Sequence, residues 1–201
     1  MKKAVTHLKK NDPVLRAIIE RVGRCRLEFG EPNFTSLARS IVYQQLNGRA
    51  AATIFGRLET GCGEAGVTPA AIVKLRMPKL RSFGLSVQKS TYIKDLAART
   101  AKGEIDFAAL PALPDSEVIA KLTEVKGIGV WTVHMFLIFT LRRPDVLPVG
   151  DYGIRAAMKK AYGLEDLPKP AEMERIAAPW RPFASVASWY LWRSLDGPAA
   201  M

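Results

Sequence analysis

Residues Leu122 to Arg155 read LTEVKGIGVWTVHMFLIFTLRRPDVLPVGDYGIR. Lys126-Gly127-Ile128-Gly129 is a tight glycine turn between two helical patterns. Val130 to Leu141 is almost wholly apolar and reads as a helix. Arg142 to Gly150 is a loop of Pro, Gly and apolar residues that ends on one carboxylate, Asp151. A helix starting near Gly129 leaves its first amide N–H groups without intrahelical partners and with partial positive charge. Such amides bind anions, and the flanking Lys121 and Lys126 favour a DNA phosphate. A plain corner between two helices would use the same glycines. Asp151 also has two readings. It precedes a helical pattern, so it can be an N-cap. Held at the end of an apolar loop, it can instead stabilise a sugar cation or polarise a water, since no His, Cys or second acid stands beside it.

Outward from this stretch the chain reads as short helices. Asp12-Pro13 opens the first, with Val14, Leu15, Ile18, Ile19 and Val22 at helical spacing and Gly23 as its end. Phe34 to Leu46 is the second and closes on Tyr43-Gln44-Gln45-Leu46-Asn47-Gly48. An alanine-rich helix, Arg49 to Thr60, follows. Thr68-Pro69 starts a short helix to Leu75, and Pro78 starts another that Gly84 stops. Ser86 caps a longer one, Val87 to Lys102. Asp115 or Ser116 caps Glu117 to Glu124. Beyond Asp151 come Tyr152 to Tyr162, Glu172 to Ala178 and Pro182 to Leu195, and Asp196-Gly197-Pro198 ends the ordered chain. No stretch alternates with period two, so about ten helices and an all-α class are expected.

The 201 residues carry 30 Lys and Arg against 19 Asp and Glu, a net charge of +11, which points first to nucleic acid as partner. Lys79, Arg81, Lys89, Lys94, Arg99 and Lys102 make the middle of the chain basic. A membrane-spanning role is excluded, because the longest apolar run, Val130 to Leu141, is too short. The start MKKAVTHLKKNDP lacks an apolar secretion signal, so a cytoplasmic location is expected, nucleoid-associated in a bacterium. Cys25 and Cys62 are too few and too far apart for a zinc or iron–sulfur site and read as buried thiols. His7 and His134 are isolated. No HxE/CxxC, Walker, DxD or HExxH pattern is present, which disfavours zinc deaminases, NTPases and two-metal nucleases.

Most of the aromatics Phe136, Phe139, Trp180, Phe183, Trp189, Tyr190 and Trp192 read as core. Trp131, beside the glycine turn, can also offer a face on which an extruded base stacks. Leu46 is either a core leucine or a wedge that fills the gap left by such a base.

Together these residues resemble the helix-hairpin-helix DNA glycosylase superfamily, and within it the DNA-3-methyladenine glycosylase II, or alkylbase, branch. The family hairpin L-P-G-I-G-x-W-T-A is similar to Val125-Lys126-Gly127-Ile128-Gly129-Val130-Trp131-Thr132-Val133. The family's F-P-x-D-D-x-G-I/L-R is similar to Leu147-Pro148-Val149-Gly150-Asp151-Tyr152-Gly153-Ile154-Arg155. Gln44-Gln45-Leu46 matches its Gln-Gln-Leu element. Leu80 to Ala98, containing RSFGLSVQKSTYIKDLA, resembles L-G-L-S-x-x-K-A-x-Y-I. Ser188-Trp189-Tyr190 resembles a segment that gives the pocket a tryptophan. The likeness spans about residues 30 to 193.

The resemblance implies two helical subdomains with a DNA-binding cleft between them. Residues 34–143 would form one, with the helix-hairpin-helix at about 117–142. Residues 1–33 plus 144–201 would form the other, which carries the acid. It implies Asp151 as the catalytic residue, although Gly150 stands where the family has a first acid. It implies Trp131, Met135, Tyr152 and Trp189 at the base pocket, Leu46 and Gln45 as the DNA wedge, and Lys126, Gly127, Gly129 and Val130 at the DNA backbone. Met135 replaces a pocket tyrosine of one relative, and Lys126 replaces the usual hairpin proline. Trp131 stands where bifunctional branches have a Schiff-base lysine, which implies hydrolysis without lyase activity. The expected enzyme is a monofunctional, monomeric glycosylase that removes alkylated purines from double-stranded DNA in base-excision repair. It would need no cofactor, although hairpin carbonyls can hold a monovalent cation. A non-catalytic DNA-binding module and a bifunctional lyase are the alternatives.

Overall fold

The computed structural model describes residues 1–196, so Gly197 and Pro198, read above as the end of order, lie outside the described residues. Among those described there are twelve α-helices, three short 3-10 turns and no strand, as an all-α chain should have. The helices are α1 (Lys2–Asn11), α2 (Pro13–Val22), α3 (Phe34–Tyr43), α4 (Gly48–Cys62), α5 (Pro69–Lys74) and α6 (Met77–Ser82). They continue as α7 (Val87–Ala101), α8 (Asp115–Thr123), α9 (Val130–Phe139), α10 (Tyr152–Tyr162), α11 (Pro170–Ala177) and α12 (Ala184–Leu195). No helix among them is long and apolar enough to cross a membrane.

Several boundaries differ from the sequence reading for identifiable reasons. α1 was not expected. It is lysine-rich and buries only Ala4 and Leu8, too weak an apolar signal to announce a helix. α3 stops at Tyr43 instead of running to Leu46, because Gln44 turns to a non-helical ψ of 130° and Gln45 then takes a left-handed φ of 56°. α8 begins at Asp115 with Pro114 as its cap residue, so neither Asp115 nor Ser116 caps it. α9 ends at Phe139, short of Leu141. There Arg142 adopts φ 59° and the Arg143 amide donates to the Leu137 carbonyl at 2.9 Å, which closes the last turn from behind. α12 starts at Ala184, since Arg181 and Pro182 belong to the preceding turn. Cys25 is buried as expected, but Cys62 is only half-buried.

The chain divides into two compact units. One comprises Met1–Phe29 with the residues from Leu137 onward, and the other is Gly30–Phe136. The first unit packs α2 and α10 against α12, with α1 lying against α2 and α12. Its core includes Leu8, Leu15, Ile154, Met158, Trp180, Tyr190 and Leu191, each at most 1% exposed. At its centre is Asp12, a carboxylate only 5% exposed. One oxygen caps α2, accepting from the Val14 and Leu15 amides at 2.8 and 3.0 Å. The other accepts from the Tyr162 hydroxyl at 2.6 Å and the Trp180 indole N–H at 2.7 Å. Burial, together with the hydrogen bond to Asp12, pushes the Tyr162 phenol well above its ordinary pKa. The phenol therefore stays a donor.

The second unit is built on α7, which packs against α3, α5 and α6. Ser86 caps α7 as expected, its hydroxyl accepting from the Lys89 amide at 3.1 Å. Ile93, Leu96 and Ala97 form its buried stripe with Leu37, Ile41 and Ile72. The basic residues of this region are less available than their number suggests. Lys94 Nζ donates to the Ile72, Val73 and Leu75 carbonyls at the end of α5. Lys89 Nζ donates to the Val42 and Gln44 carbonyls at the end of α3. Arg99 binds Asp95, Glu104 and Glu124. Half of the six cations read above as a basic middle thus hold the unit together.

Candidate active site and nucleic-acid interface

Gln45, Leu46, Lys126, Gly127, Gly129, Val130, Trp131 and Met135 fall in the unit Gly30–Phe136, whereas Asp151, Tyr152 and Trp189 belong to the other.

In the first group the glycine turn forms as the sequence predicts. α8 ends at Thr123, α9 starts at Val130, and the turn between them exposes Lys126, Gly127 and Gly129 to solvent while Val125 and Ile128 anchor it in the core. Gly127 has φ 79°. A Cβ there would also run into the near edge of the Tyr92 ring, including Cγ, so a swing of the ring tip would not relieve it. The position needs glycine twice over. Gly127→Ala is expected to lower stability by about 2–4 kcal/mol and to weaken DNA binding by distorting the turn. Thermal melting and binding titrations on the same preparation check both.

The carbonyls of Val125, Gly127 and Gly129 accept from the Ile128 amide, the Gln44 side-chain amide and the Val133 amide. Each carbonyl oxygen has a second lone pair, so this neutral donor set fits a monovalent cation. Among the described residues no cluster of His, Cys, Asp or Glu could hold a metal ion.

Leu46 is 40% exposed, at the tip of the turn that follows α3, and Gln45 beside it is held at a left-handed φ. A core leucine would not be so placed. Trp131 is 47% exposed and offers part of a π-face, while Met135 is half-buried.

In the second group Asp151 takes the N-cap place that one of its two sequence readings gives it. It caps α10, its Oδ1 accepting from the Ile154 amide at 2.8 Å. The same oxygen accepts from the Trp192 indole N–H at 2.9 Å. It is only 8% exposed. Gly153 makes room for this arrangement, since a Cβ there would press on Asp151 Oδ1 at 3.1 Å and Trp192 Cδ1 at 3.2 Å. Trp192 in turn stacks on Phe139, with ring centroids 5.7 Å apart.

The loop leading to Asp151 is fixed by the start of α12. Ser185 Oγ donates to the Arg143 carbonyl at 2.7 Å and accepts from the Val146 amide at 3.0 Å. The Ser185 amide donates to the Pro144 carbonyl at 3.0 Å, and the Ala184 amide to Asp145 Oδ1 at 3.1 Å. Ser185 and Trp192 lie two helical turns apart on one face of α12, so a single helix grips both ends of the loop.

Sequence reasoning missed Ser185 and Trp192. Their partners lie about forty residues away, and only the heptad-like spacing from Ser185 to Trp192 hints at a shared face. Trp189, expected at the base pocket, is half-buried, packs against the core of its unit and meets Tyr190 edge to face at 5.0 Å. Tyr152 is 71% exposed.

One unit thus presents exposed glycines before a helix start and a protruding leucine, and the other a buried carboxylate at a helix start. Comparison with known proteins agrees. Residues 38–182 match the model of the HhH-GPD superfamily of base excision DNA repair proteins. DNA-3-methyladenine glycosylase 1 of Schizosaccharomyces pombe is 33% identical over 198 residues, 96% of this chain and 86% of that one. The structure of the 3-methyladenine DNA glycosylase of that yeast in complex with abasic DNA superposes with a TM-score of 0.82, covering 94% of this chain and 95% of that one. A DNA-3-methyladenine glycosidase from Bacillus halodurans, 37% identical, superposes with a TM-score of 0.84 over 94% of this chain and 87% of that one. The chain belongs to the HhH-GPD superfamily of base excision DNA repair proteins.

Proposed function

We propose that the protein is a monofunctional DNA glycosylase that removes alkylated purines, of the 3-methyladenine and 7-methylguanine type, from double-stranded DNA. The observation that carries the reading is Asp151, buried at a helix N-terminus with Oδ1 fixed by Ile154 and Trp192. A surface N-cap needs neither burial nor an indole partner. Trp192 is not required to cap α10, but it fixes the plane of the carboxylate.

An alkylated purine of this kind is cationic, so its bond to C1′ is already weak. As that bond breaks, its electron pair leaves with the base and the sugar becomes cationic. A fixed carboxylate stabilises that charge without reorganising, and it can orient the water whose oxygen then bonds to C1′ while one of its protons passes to the carboxylate and on to solvent. The amides of Gly127, Gly129 and Val130 would hold a phosphate, with Lys126 adding charge beside it. A monovalent cation on the turn's carbonyls would add further positive charge there. Leu46, with Gln45, would occupy the space that the flipped nucleotide leaves. Trp131 would give the cationic base a π-face, and Tyr152, Trp189 and Met135 would line its surroundings.

The test is a set of duplexes carrying single modified bases. Release of 3-methyladenine or 7-methylguanine as free base, with the strand intact, is expected. Borohydride should trap no covalent adduct on abasic DNA, because tryptophan and not lysine occupies position 131. Binding without release of any base would favour a non-catalytic module, and a trapped adduct would favour a lyase.

A further inference from the structure

Lys89, Tyr92 and Asp95 follow one another at three-residue steps on α7 and so share a side of that helix. Each reaches one of the two loops assigned above to DNA. Lys89 Nζ donates to the Val42 carbonyl at 2.7 Å and to the Gln44 carbonyl at 2.6 Å, at the start of the turn that presents Leu46. The Tyr92 ring lies against Gly127. Asp95 Oδ2 accepts from the Lys126 amide at 3.0 Å. The circuit is closed by Gln44, whose side-chain amide donates to the Gly127 carbonyl at 2.9 Å. The leucine turn and the glycine turn, about eighty residues apart in sequence, are thus tied to one helix and to each other.

Taking its ammonium out of water holds Lys89 below its ordinary pKa. An apolar side chain of similar length would avoid that cost but leave the Val42 and Gln44 carbonyls at the end of α3 without this donor. What the ammonium adds is direction: two carbonyls are aimed at one point. Gln45, next in the chain, keeps a left-handed φ of 56° that a non-glycine residue holds only when its neighbours over-determine it.

We propose that this side of α7 is a positioning device that sets the distance between Leu46 and the amides of the glycine turn. Lys89, Tyr92 and Asp95 act through the two loops and not on the substrate. A phosphate gripped by the turn then places Leu46 opposite one chosen base step. The inference rests on the glycosylase reading and goes beyond it by assigning the spacing of its parts.

The test compares affinity for a duplex with one tetrahydrofuran abasic analogue against the same duplex undamaged, since only the first offers Leu46 a gap. Leu46→Ala is expected to reduce the preference for the abasic duplex about tenfold. Lys89→Met should reduce it by a similar factor while affinity for the undamaged duplex stays within about threefold, and the double variant should fall within about twofold of Leu46→Ala alone. An unchanged preference in Lys89→Met, or losses that multiply in the double variant, would overturn the proposal. If Lys89→Met does not fold, Gln44→Leu cuts the other tie and must show the same non-additivity, or the proposal falls. Wild-type protein that neither prefers abasic DNA nor releases alkylated bases would refute the glycosylase reading itself, and the inference with it. Base release by the wild type with preference retained in Lys89→Met refutes the inference alone.

Discussion

Asp151→Asn is expected to bind DNA as the wild type does and to release alkylated purines about a hundred- to a thousandfold more slowly. The asparagine oxygen can still accept from the Ile154 amide and the Trp192 indole, so the cap of α10 and the tie to α12 persist. The negative charge is lost. Melting temperature should therefore change little, and duplex affinity, which the reading assigns to the glycine turn, should not change. Single-turnover release of radiolabelled methylpurines, measured beside a binding titration, separates the two. A variant as active as the wild type would remove Asp151 from the chemistry and reduce it to a helix cap.

The largest effect on stability is expected at Asp12. Asp12→Ala removes the cap of α2 and leaves two donors, the Tyr162 hydroxyl and the Trp180 indole N–H, without their acceptor in the core. A lost cap and two stranded polar groups together amount to about 3–5 kcal/mol. Asp12→Asn should recover only part of this. It can restore the cap, but its amide nitrogen then faces two donors. Chemical denaturation of the two variants gives the ordering wild type, Asn, Ala. A loss below about 1 kcal/mol in the alanine variant would mean that the pocket relaxes or admits water.

These residues mark where sequence reading reached and where it stopped. Local signals were legible. The Asp12-Pro13 start, the Ser86 cap and the glycine turn each act within a few residues, and each stands where the sequence placed it. The sequence leaves two readings each for Leu46 and Asp151; the leucine is exposed and so is not part of the core, and Asp151 caps α10 while lying buried. What stayed hidden was pairing at a distance. Nothing near Asp12 in sequence announces Tyr162 or Trp180, and nothing near Asp151 announces Trp192. Lys89 and Lys94 looked like surface charge because a lysine that caps a distant helix has the same letter as one in solvent. α1 escaped because a lysine-rich decamer with two buried side chains has too little apolar content to announce a helix.

The unit that holds Asp151 is also discontinuous in the chain. Gly30–Phe136 is one unbroken segment, whereas Asp151 belongs with Met1–Phe29 and the residues from Leu137 onward. On a ribosome that adds roughly ten residues per second, α2 emerges well over ten seconds before α12, the helix it packs against. In that interval Leu15, Ile18 and Ile19 lack the cover of α12 and have only α1 beside them. The acid likewise gains its indole partner only when α12 has been made. The glycine turn can form on a half-made chain, but the carboxylate proposed to act on the glycosidic bond is fixed last, so an incomplete product would carry the proposed DNA grip without it.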